Sequence, residues 1–165
     1  MSIGSPIVFG EVPQNRQFKA LTAISTRRDD PDSFDEALLQ KLIEETPNVL
    51  PIREFLPSTT AVFSLGRELK VDIGGKDGYI DNLLVTNDGY IVIVETKLHR
   101  NPEATRDVVA QTLQYGMAIG SMSVLKLEDR IRSSQNPALW RNESIRDCVS
   151  RLATDDPAPP CANMT

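Results

Sequence analysis

The stretch GYIDNLLVTNDGYIVIVETK, residues 78–97, decides the fold of this chain. Two runs rich in aliphatic and β-branched side chains flank a polar Thr-Asn-Asp-Gly segment, a pattern typical of a β-hairpin. If residues 87–89 form a three-residue loop with Gly89 in the left-handed conformation, Thr86 pairs with Tyr90. The turn chemistry therefore predicts the register of the whole hairpin.

That register brings three charged side chains to one place. It sets Asp81 directly opposite Glu95, at about 5 Å for cross-strand partners. Lys97 falls on the same face because side chains along a strand repeat every second residue. A two-residue loop would shift the pairing by one and move Asp81 to the other face. The favoured turn thus predicts two carboxylates and an ammonium group close together.

The rest of the hairpin is apolar on both faces. A strand of this kind belongs in the middle of a sheet that is covered by helices on both sides. We therefore expect an α/β fold with a central sheet and helices on both faces. One face carries Leu83, Val85, Ile91 and Ile93, and the other carries Ile80, Leu84, Val92 and Val94.

The paired acids allow two interpretations. Two carboxylates near the end of a buried strand pair repel each other and lose hydration unless a cation lies between them. One interpretation is a metal site. The other is a salt bridge in which Lys97 neutralises Glu95, while Asp81 is exposed at the end of the sheet. The hairpin alone favours neither.

Length and composition predict a single soluble domain. The chain has 165 residues, of which 40% are hydrophobic and 25% charged. It has no apolar run long enough for a membrane span and no signal peptide. Its two cysteines, Cys148 and Cys161, have the spacing of neither a disulfide framework nor a zinc site. We therefore expect a cytoplasmic protein without membrane association. The net charge of −5 argues against an extended nucleic-acid footprint, although residues 97–106 offer a local basic rim.

A first helix is predicted after an N-terminal extension at residues 1–32. Ser33 followed by Glu36 is a capping box, the apolar stripe runs to Ile43, and Pro47 ends the helix. Glu36 has two interpretations. As the capping-box partner it has no chemical role, and local pattern favours this. As a third acid facing the hairpin it could reach a metal.

The segment between this helix and the hairpin contains a strand at residues 60–65, which continues toward Leu69. The glycines at 74, 75 and 78 match no phosphate-loop pattern, so we predict a flexible loop there.

A long helix follows the hairpin. Asn101 can cap it and Pro102 occupies its first position. Gln111 and Tyr115, four residues apart, share one side of this helix. Either they form a pair at the rim of the helix–sheet contact, or both point toward Asp81 and Glu95. We expect the broad apolar face to pack on the sheet; it comprises Val108, Val109, Thr112, Leu113, Gly116 and Met117.

The C-terminal part is predicted to be helical. Residues 121–134 form a helix that Ser123 can cap, with a short strand at 122–127 as the alternative. Trp140 is expected to be a packing anchor, and a last short helix runs through Ile145, Val149 and Leu152. The Pro-rich tail from Thr154 is expected to be disordered, which leaves residues 33–153 as the folded domain.

In order, the chain has a helix with Glu36, a strand, a hairpin with Asp81 and Glu95-Thr96-Lys97, and a helix with Gln111 and Tyr115. This order resembles the PD-(D/E)XK nuclease superfamily, over residues 33–120. Glu95-Thr96-Lys97 matches the (D/E)XK element, and residues 111–115 look like the Q-x-x-x-Y element of exonuclease-related branches. Ile80 replaces the Pro of the family name, and only residues 122–127 could supply the strand that follows the last helix in the family core.

The resemblance implies a restriction-endonuclease-like fold with a mixed sheet and a Mg²⁺-dependent (or Mn²⁺-dependent) endo- or exodeoxyribonuclease. Asp81, Glu95 and the Thr96 carbonyl would hold the metal, with Glu36 as a further candidate ligand. Lys97 would act in catalysis, assisted by Gln111 and Tyr115. The implied partner is nucleic acid, DNA in preference to RNA, and a homodimer is compatible. The alternative function is a catalytically silent nuclease-fold module for nucleic-acid binding or protein interaction.

Overall fold

A computed structural model describes residues 7–8, 19–20, 35–97, 103–139 and 142–154, with backbone alone for 7–8, 19–20 and 103–105. The predictions for Ser33, the Asn101-Pro102 cap, Trp140, Cys161 and the tail from residue 155 lie outside these residues. The chain divides into two compact units, Met1–Asp35 and Glu36–Thr165. In the first unit, β1 (Ile7–Val8) pairs antiparallel with β2 (Lys19–Ala20).

The second unit is built on a three-stranded sheet. Its strands are β3 (Val62–Ile73), β4 (Lys76–Thr86) and β5 (Ile91–Val94), in the spatial order β3-β4-β5. Both strand pairings are antiparallel. The expected α/β class is confirmed, whereas the described part of the sheet is antiparallel and not mixed.

The predicted register of the β4–β5 hairpin is confirmed. Leu83 pairs with Ile93 and Val85 with Ile91, and this register sets Thr86 opposite Tyr90. Gly89 has a φ of +85° and donates its amide to the Thr86 carbonyl at 2.9 Å. A glycine reaches this left-handed conformation without steric cost, so the three-residue loop forms as the sequence predicts.

The turn region predicted at residues 74–78 is confirmed at residues 74–75 and is wrong at residues 76–78. Gly74 and Gly75 form the two-residue turn of a second hairpin that joins β3 and β4, with φ values of +62° and +85°. Tight hairpin turns of this length favour positive φ at both central positions, and two glycines satisfy that requirement. Residues 76–78 therefore belong to β4.

Five α-helices surround the sheet in the described part of the second unit. They are α1 (Glu36–Glu45), α2 (Ile52–Phe55), α3 (Glu103–Gly120), α4 (Val124–Arg132) and α5 (Ile145–Ala153), with a 3-10 turn at Pro47–Val49. Ser123 caps α4 by accepting the Lys126 amide, so the strand alternative for residues 122–127 is wrong. Within the described ranges no strand follows α3, and no helix there is long and apolar enough to cross a membrane.

The helices cover both faces of the sheet. Leu84 packs with Ile43 of α1 in a small cluster that includes Val92 and Val94. Leu83 and Val85 belong to a larger cluster with residues of α3, α4 and α5. Neighbouring positions along β4 thus face different helices, as alternation requires. Ile80 differs from the expectation, because it belongs to the larger cluster and not to the cluster of Leu84.

The prediction for the packed face of α3 is partly wrong. Among the α3 side chains that the structure describes, from residue 106 onward, Tyr115 and Ala118 are buried in the core. Val109, Leu113 and Met117, which were expected to pack on the sheet, are exposed. Helical spacing identifies an apolar stripe, but it does not show what covers that stripe.

We expect replacement of Gly89 by alanine to destabilise the protein by about 1–2 kcal/mol, because a β-carbon is disfavoured in the left-handed conformation. A β-carbon at Gly89 would meet nothing within 4 Å, so the cost lies in the backbone and not in a clash. Gly89→Asn is the matched control and should cost less, since Asn tolerates this conformation. Urea denaturation measures both. An alanine variant as stable as the wild type would contradict the turn geometry.

Candidate metal centre

Asp81 and Thr96 are joined at the end of the β4–β5 hairpin. Thr96 donates both its backbone amide and its side-chain hydroxyl to Asp81 Oδ2, each at 2.7 Å. Thr96 is buried and Asp81 is partly buried. Two short hydrogen bonds to one carboxylate oxygen hold that carboxylate in a fixed position against the segment after β5 that carries Glu95. Asp81 is therefore not a freely exposed acid.

Glu95 is a buried carboxylate with one partner. Its side chain is 1% exposed, and Oε1 lies 3.0 Å from Lys97 Nζ. The other oxygen, Oε2, is buried and accepts no hydrogen bond within the described part of the chain. A buried carboxylate oxygen without a protein partner is energetically costly, so this oxygen is available to bind a water or a cation.

Glu36 approaches the same cluster from α1. Its Oε2 lies 3.8 Å from Lys97 Nζ, so Lys97 stands between two carboxylates. α1 begins at Glu36, and its expected capping partner, Ser33, lies outside the described residues. The interpretation of Glu36 as an acid that faces the hairpin, which the local sequence pattern disfavoured, agrees with this contact.

Asn82 helps to hold α1 in this position. It is fully buried on β4, next to Asp81, and its Nδ2 donates to the Gln40 carbonyl of α1 at 2.9 Å. Sequence reasoning missed this side chain. An amide inside an otherwise aliphatic strand was the available signal, because a buried polar group needs a partner in the layer that covers it.

The ionisable groups of the cluster shift each other's pKa values. The pKa of Glu95 lies above its ordinary value, because the effect of burial is larger than the opposite effect of Lys97. The negative charges of Asp81 and Glu36 raise this pKa further. Burial tends to lower the pKa of Lys97, but its hydrogen bond with Glu95 and the charges of the three acids raise it overall. Lys97 is therefore protonated at neutral pH, and Asp81 is close enough to act on both groups.

Gln111 and Tyr115 form a pair of their own. Gln111 Nε2 lies 2.6 Å from the Tyr115 hydroxyl, and Tyr115 is buried beside Gly78. Both line a cavity of about 640 Å³ between α3 and the tip of the β3–β4 hairpin, together with Lys76 and Asp77. The contacts described for this pair are to each other and to this cavity, which agrees with the rim interpretation.

The donor set fits a hard cation only in part. In the described ranges, no group of three or more His, Cys, Asp or Glu side chains could hold a metal ion. Asp81 and Glu95 supply two carboxylates, and one oxygen of Glu95 is buried without a partner. Mg²⁺ is commonly bound through one or two carboxylates while it keeps several waters, so these two acids are the part of the set that fits such an ion.

Comparison with protein-family models, with curated proteins and with solved structures finds no match to this chain.

We expect Glu95→Gln to stabilise the metal-free protein at neutral pH. A carboxyl with a pKa raised by folding contributes stability that is fully present below its unfolded-state pKa and is lost as the pH rises through its folded-state pKa. The variant should therefore be no more stable than the wild type at about pH 4, and its gain in the free energy of unfolding should appear as the pH rises. Thermal unfolding in EDTA at several pH values measures it. A variant less stable than the wild type at neutral pH would show that the ion pair with Lys97 outweighs desolvation.

Proposed function

We propose that this protein is a metal-dependent nuclease that hydrolyses phosphodiester bonds, with DNA as the substrate. The observation that carries the proposal is the buried Glu95 carboxylate, which has one unpartnered oxygen beside Asp81 and a protonated Lys97. A metal-dependent nuclease hydrolyses a phosphodiester with a cation that neutralises charge on phosphate oxygens and with a positioned water. Two acids and a lysine at one point supply what such a site requires.

In this proposal Asp81, Glu95 and the Thr96 carbonyl hold a Mg²⁺ or Mn²⁺ ion. When bound, the ion supplies Lewis-acid stabilisation of the phosphate and lowers the pKa of a water. Thr96 keeps Asp81 Oδ2 in place through two hydrogen bonds, so the carboxylate needs little rearrangement to bind a cation. The raised pKa of Glu95 falls when a divalent cation compensates its negative charge, which favours the ionised ligand.

Lys97 acts as an electrostatic residue. Its raised pKa keeps the ammonium group protonated, which disfavours a role as general base. If Glu95 were to hold a cation, Lys97 would lose its ion pair with that carboxylate, and its ammonium group would be available to contact a phosphate oxygen. There it stabilises the negative charge that grows in the transition state.

In this proposal Gln111 and Tyr115 contact the substrate. Their cavity is lined by Gly78 and Lys76 of β4, the strand that carries Asp81. Gly78 and Asp81 are three positions apart, about 10 Å along a strand. A nucleic-acid strand bound at the acids could therefore extend into this cavity, where Gln111 is partly exposed.

A restriction-endonuclease-like architecture belongs to the same proposal. Its support is the order of α1, the β3-β4-β5 sheet and α3, with helices on both faces of the sheet. The antiparallel sheet lacks a strand after α3 within the described ranges, which is the main departure from the pattern that the resemblance implies.

A second candidate function is a nuclease-fold module that binds a partner without catalysis. The contact that favours it is the ion pair between Lys97 and Glu95, since Lys97 already occupies the place of a cation beside that acid. Such a module keeps the charged cluster as a structural salt bridge. It predicts neither metal binding nor cleavage.

We expect Mg²⁺-dependent or Mn²⁺-dependent cleavage of DNA that falls by about 100-fold or more in Asp81→Asn, Glu95→Gln and Lys97→Met, because each removes a ligand or a stabilising charge. The assay follows single-stranded and double-stranded substrates with each metal and with EDTA. Lys41→Met is the matched control, since Lys41 is an exposed lysine paired with Glu45 on α1.

The second readout is thermal stability as a function of metal concentration. Mn²⁺ should raise the melting temperature of the wild type and of Lys41→Met, but not that of Glu95→Gln, because a ligand that binds only the folded state stabilises it. Cleavage by a folded Glu95→Gln protein at the wild-type rate would refute the catalytic role. The absence of both a metal-dependent rise in melting temperature and cleavage of any nucleic acid would favour the silent module.

A further inference from the structure

The cavity between α3 and the tip of the β3–β4 hairpin has the size of a ligand-binding pocket, at about 640 Å³. The wall opposite α3 belongs to the hairpin and includes Ile73 and Gly78. On the helix side, the lining residues follow the i, i+3, i+4, i+7 spacing of a single helix face: Asp107, Ala110, Gln111 and Gln114. Polar side chains on one regular face of α3 thus converge on a common space.

Tyr115 gives this cavity a hydrogen-bond donor at a fixed point. A β-carbon at Gly78 would come within 2.9 Å of Tyr115 Cε1, so the aromatic ring packs directly against the backbone of β4. The Tyr115 hydroxyl accepts the Gln111 side-chain amide at 2.6 Å. It keeps its own proton, for which no acceptor lies in the part of the chain that the structure describes. A ligand in the cavity can accept that proton.

Asp107 and Gln111 supply acceptors one helical turn apart. The Asp107 carboxylate accepts at both oxygens, and among the described residues it has neither an ion-pair nor a hydrogen-bond partner. Because Gln111 turns its amide nitrogen toward Tyr115, its carbonyl oxygen is left to accept. Carboxylate and amide side chains are groups with which proteins read base edges, and acceptors match the exocyclic amino groups of adenine, guanine and cytosine. Thymine has no such amino group.

The charge of the cavity disfavours a phosphate. Within the described part of the chain, its lining has two carboxylates, Asp77 and Asp107, and one ammonium group, that of Lys76. Lys70 is already bound to Asp77 at 2.7 Å. A phosphate would therefore meet more negative than positive charge, whereas a nucleobase is neutral. Ile73 offers an apolar surface for the flat face of a base.

We propose that this cavity binds one unpaired nucleobase of the substrate, with Asp107, Gln111 and the Tyr115 hydroxyl as the groups that recognise it. The inference rests on the proposed nuclease function and adds to it which part of the substrate enters the cavity. The phosphate is held at Asp81, and the base of a nearby nucleotide enters the cavity, since Gly78 lies about 10 Å from Asp81 along β4.

This arrangement defines the substrate class. The edge that carries the hydrogen-bonding groups of a base is occupied by its partner in a duplex, and it becomes available when the strand is single. The substrate is therefore single-stranded DNA with an amino-bearing base at the position next to the bound phosphate.

Titration of the full chain with single nucleosides in EDTA tests the site in the absence of metal and of cleavage. Followed by ¹H–¹⁵N NMR, deoxyadenosine, deoxyguanosine and deoxycytidine should shift the amide signals of residues 74–78 and 107–115 in a saturable way. Thymidine should bind about tenfold more weakly, because it lacks the amino group that a carboxylate accepts. Inorganic phosphate should not shift these signals.

Two variants separate the recognising groups. Asp107→Asn should weaken binding of the three amino-bearing nucleosides about tenfold and leave thymidine unchanged, because the charged acceptor is lost. Tyr115→Phe keeps the ring and should weaken all four nucleosides. Asp129→Asn is the matched control and should change no dissociation constant, since Asp129 is an exposed aspartate on α4, outside the cavity. NMR signals that stay in place outside the cavity confirm that the variants fold.

The absence of saturable shifts with every nucleoside would overturn the proposal, as would shifts confined to other residues or undiminished binding by Asp107→Asn. The result is separate from that of the cleavage assay. Metal-dependent cleavage by a protein that binds no nucleoside would leave the nuclease function in place and overturn the base site. Nucleoside binding at these residues without any cleavage would support the base site and contradict the catalytic role of the acids.

Discussion

The structure depends on the register of one hairpin, and the turn at residues 87–89 is held in place by the chain that precedes the sheet. Asn87 Oδ1 accepts the amides of Thr60 and Ala61 at 2.9 Å and 3.0 Å. The neighbouring Asp88 accepts the hydroxyl of Ser58 at 3.0 Å. These hydrogen bonds hold the turn against the segment that precedes β3. Gly89 adopts the left-handed conformation that the turn requires. A slip of one residue would move Asp81 away from Glu95 and break every contact of the cluster.

The cluster that this register creates is costly for folding. Glu95 is buried beside two other acids, and its raised pKa shows that burial outweighs the help of Lys97. Thr96 and Lys97 relieve part of this cost, but one oxygen of Glu95 remains without a partner in the described part of the chain. Proteins tend to keep such unfavourable burial of charge at functional sites, which is the ground on which we propose a cation at this cluster.

Much of the fold follows from local sequence signals, because a turn glycine or a helix cap acts within a few residues. Gly89 and Ser123 behave as their sequence contexts predict. Side-chain contacts between distant segments were harder to predict. Nothing in the sequence showed that the Thr96 hydroxyl would donate to Asp81, or that Glu36 would lie beside Lys97. The exposed side of α3 was missed for a related reason, since apolar periodicity identifies a surface to be covered without identifying the partner that covers it.

The central claim is that Asp81 and Glu95 share a site for a divalent cation. A crystal structure of the protein soaked in Mn²⁺, measured at a wavelength where manganese scatters anomalously, tests it directly. We expect one ordered ion that contacts a carboxylate oxygen of each acid, with Lys97 released from Glu95. Crystals that show no ion there under saturating Mn²⁺, with the 3.0 Å contact between Lys97 and Glu95 intact, would contradict it.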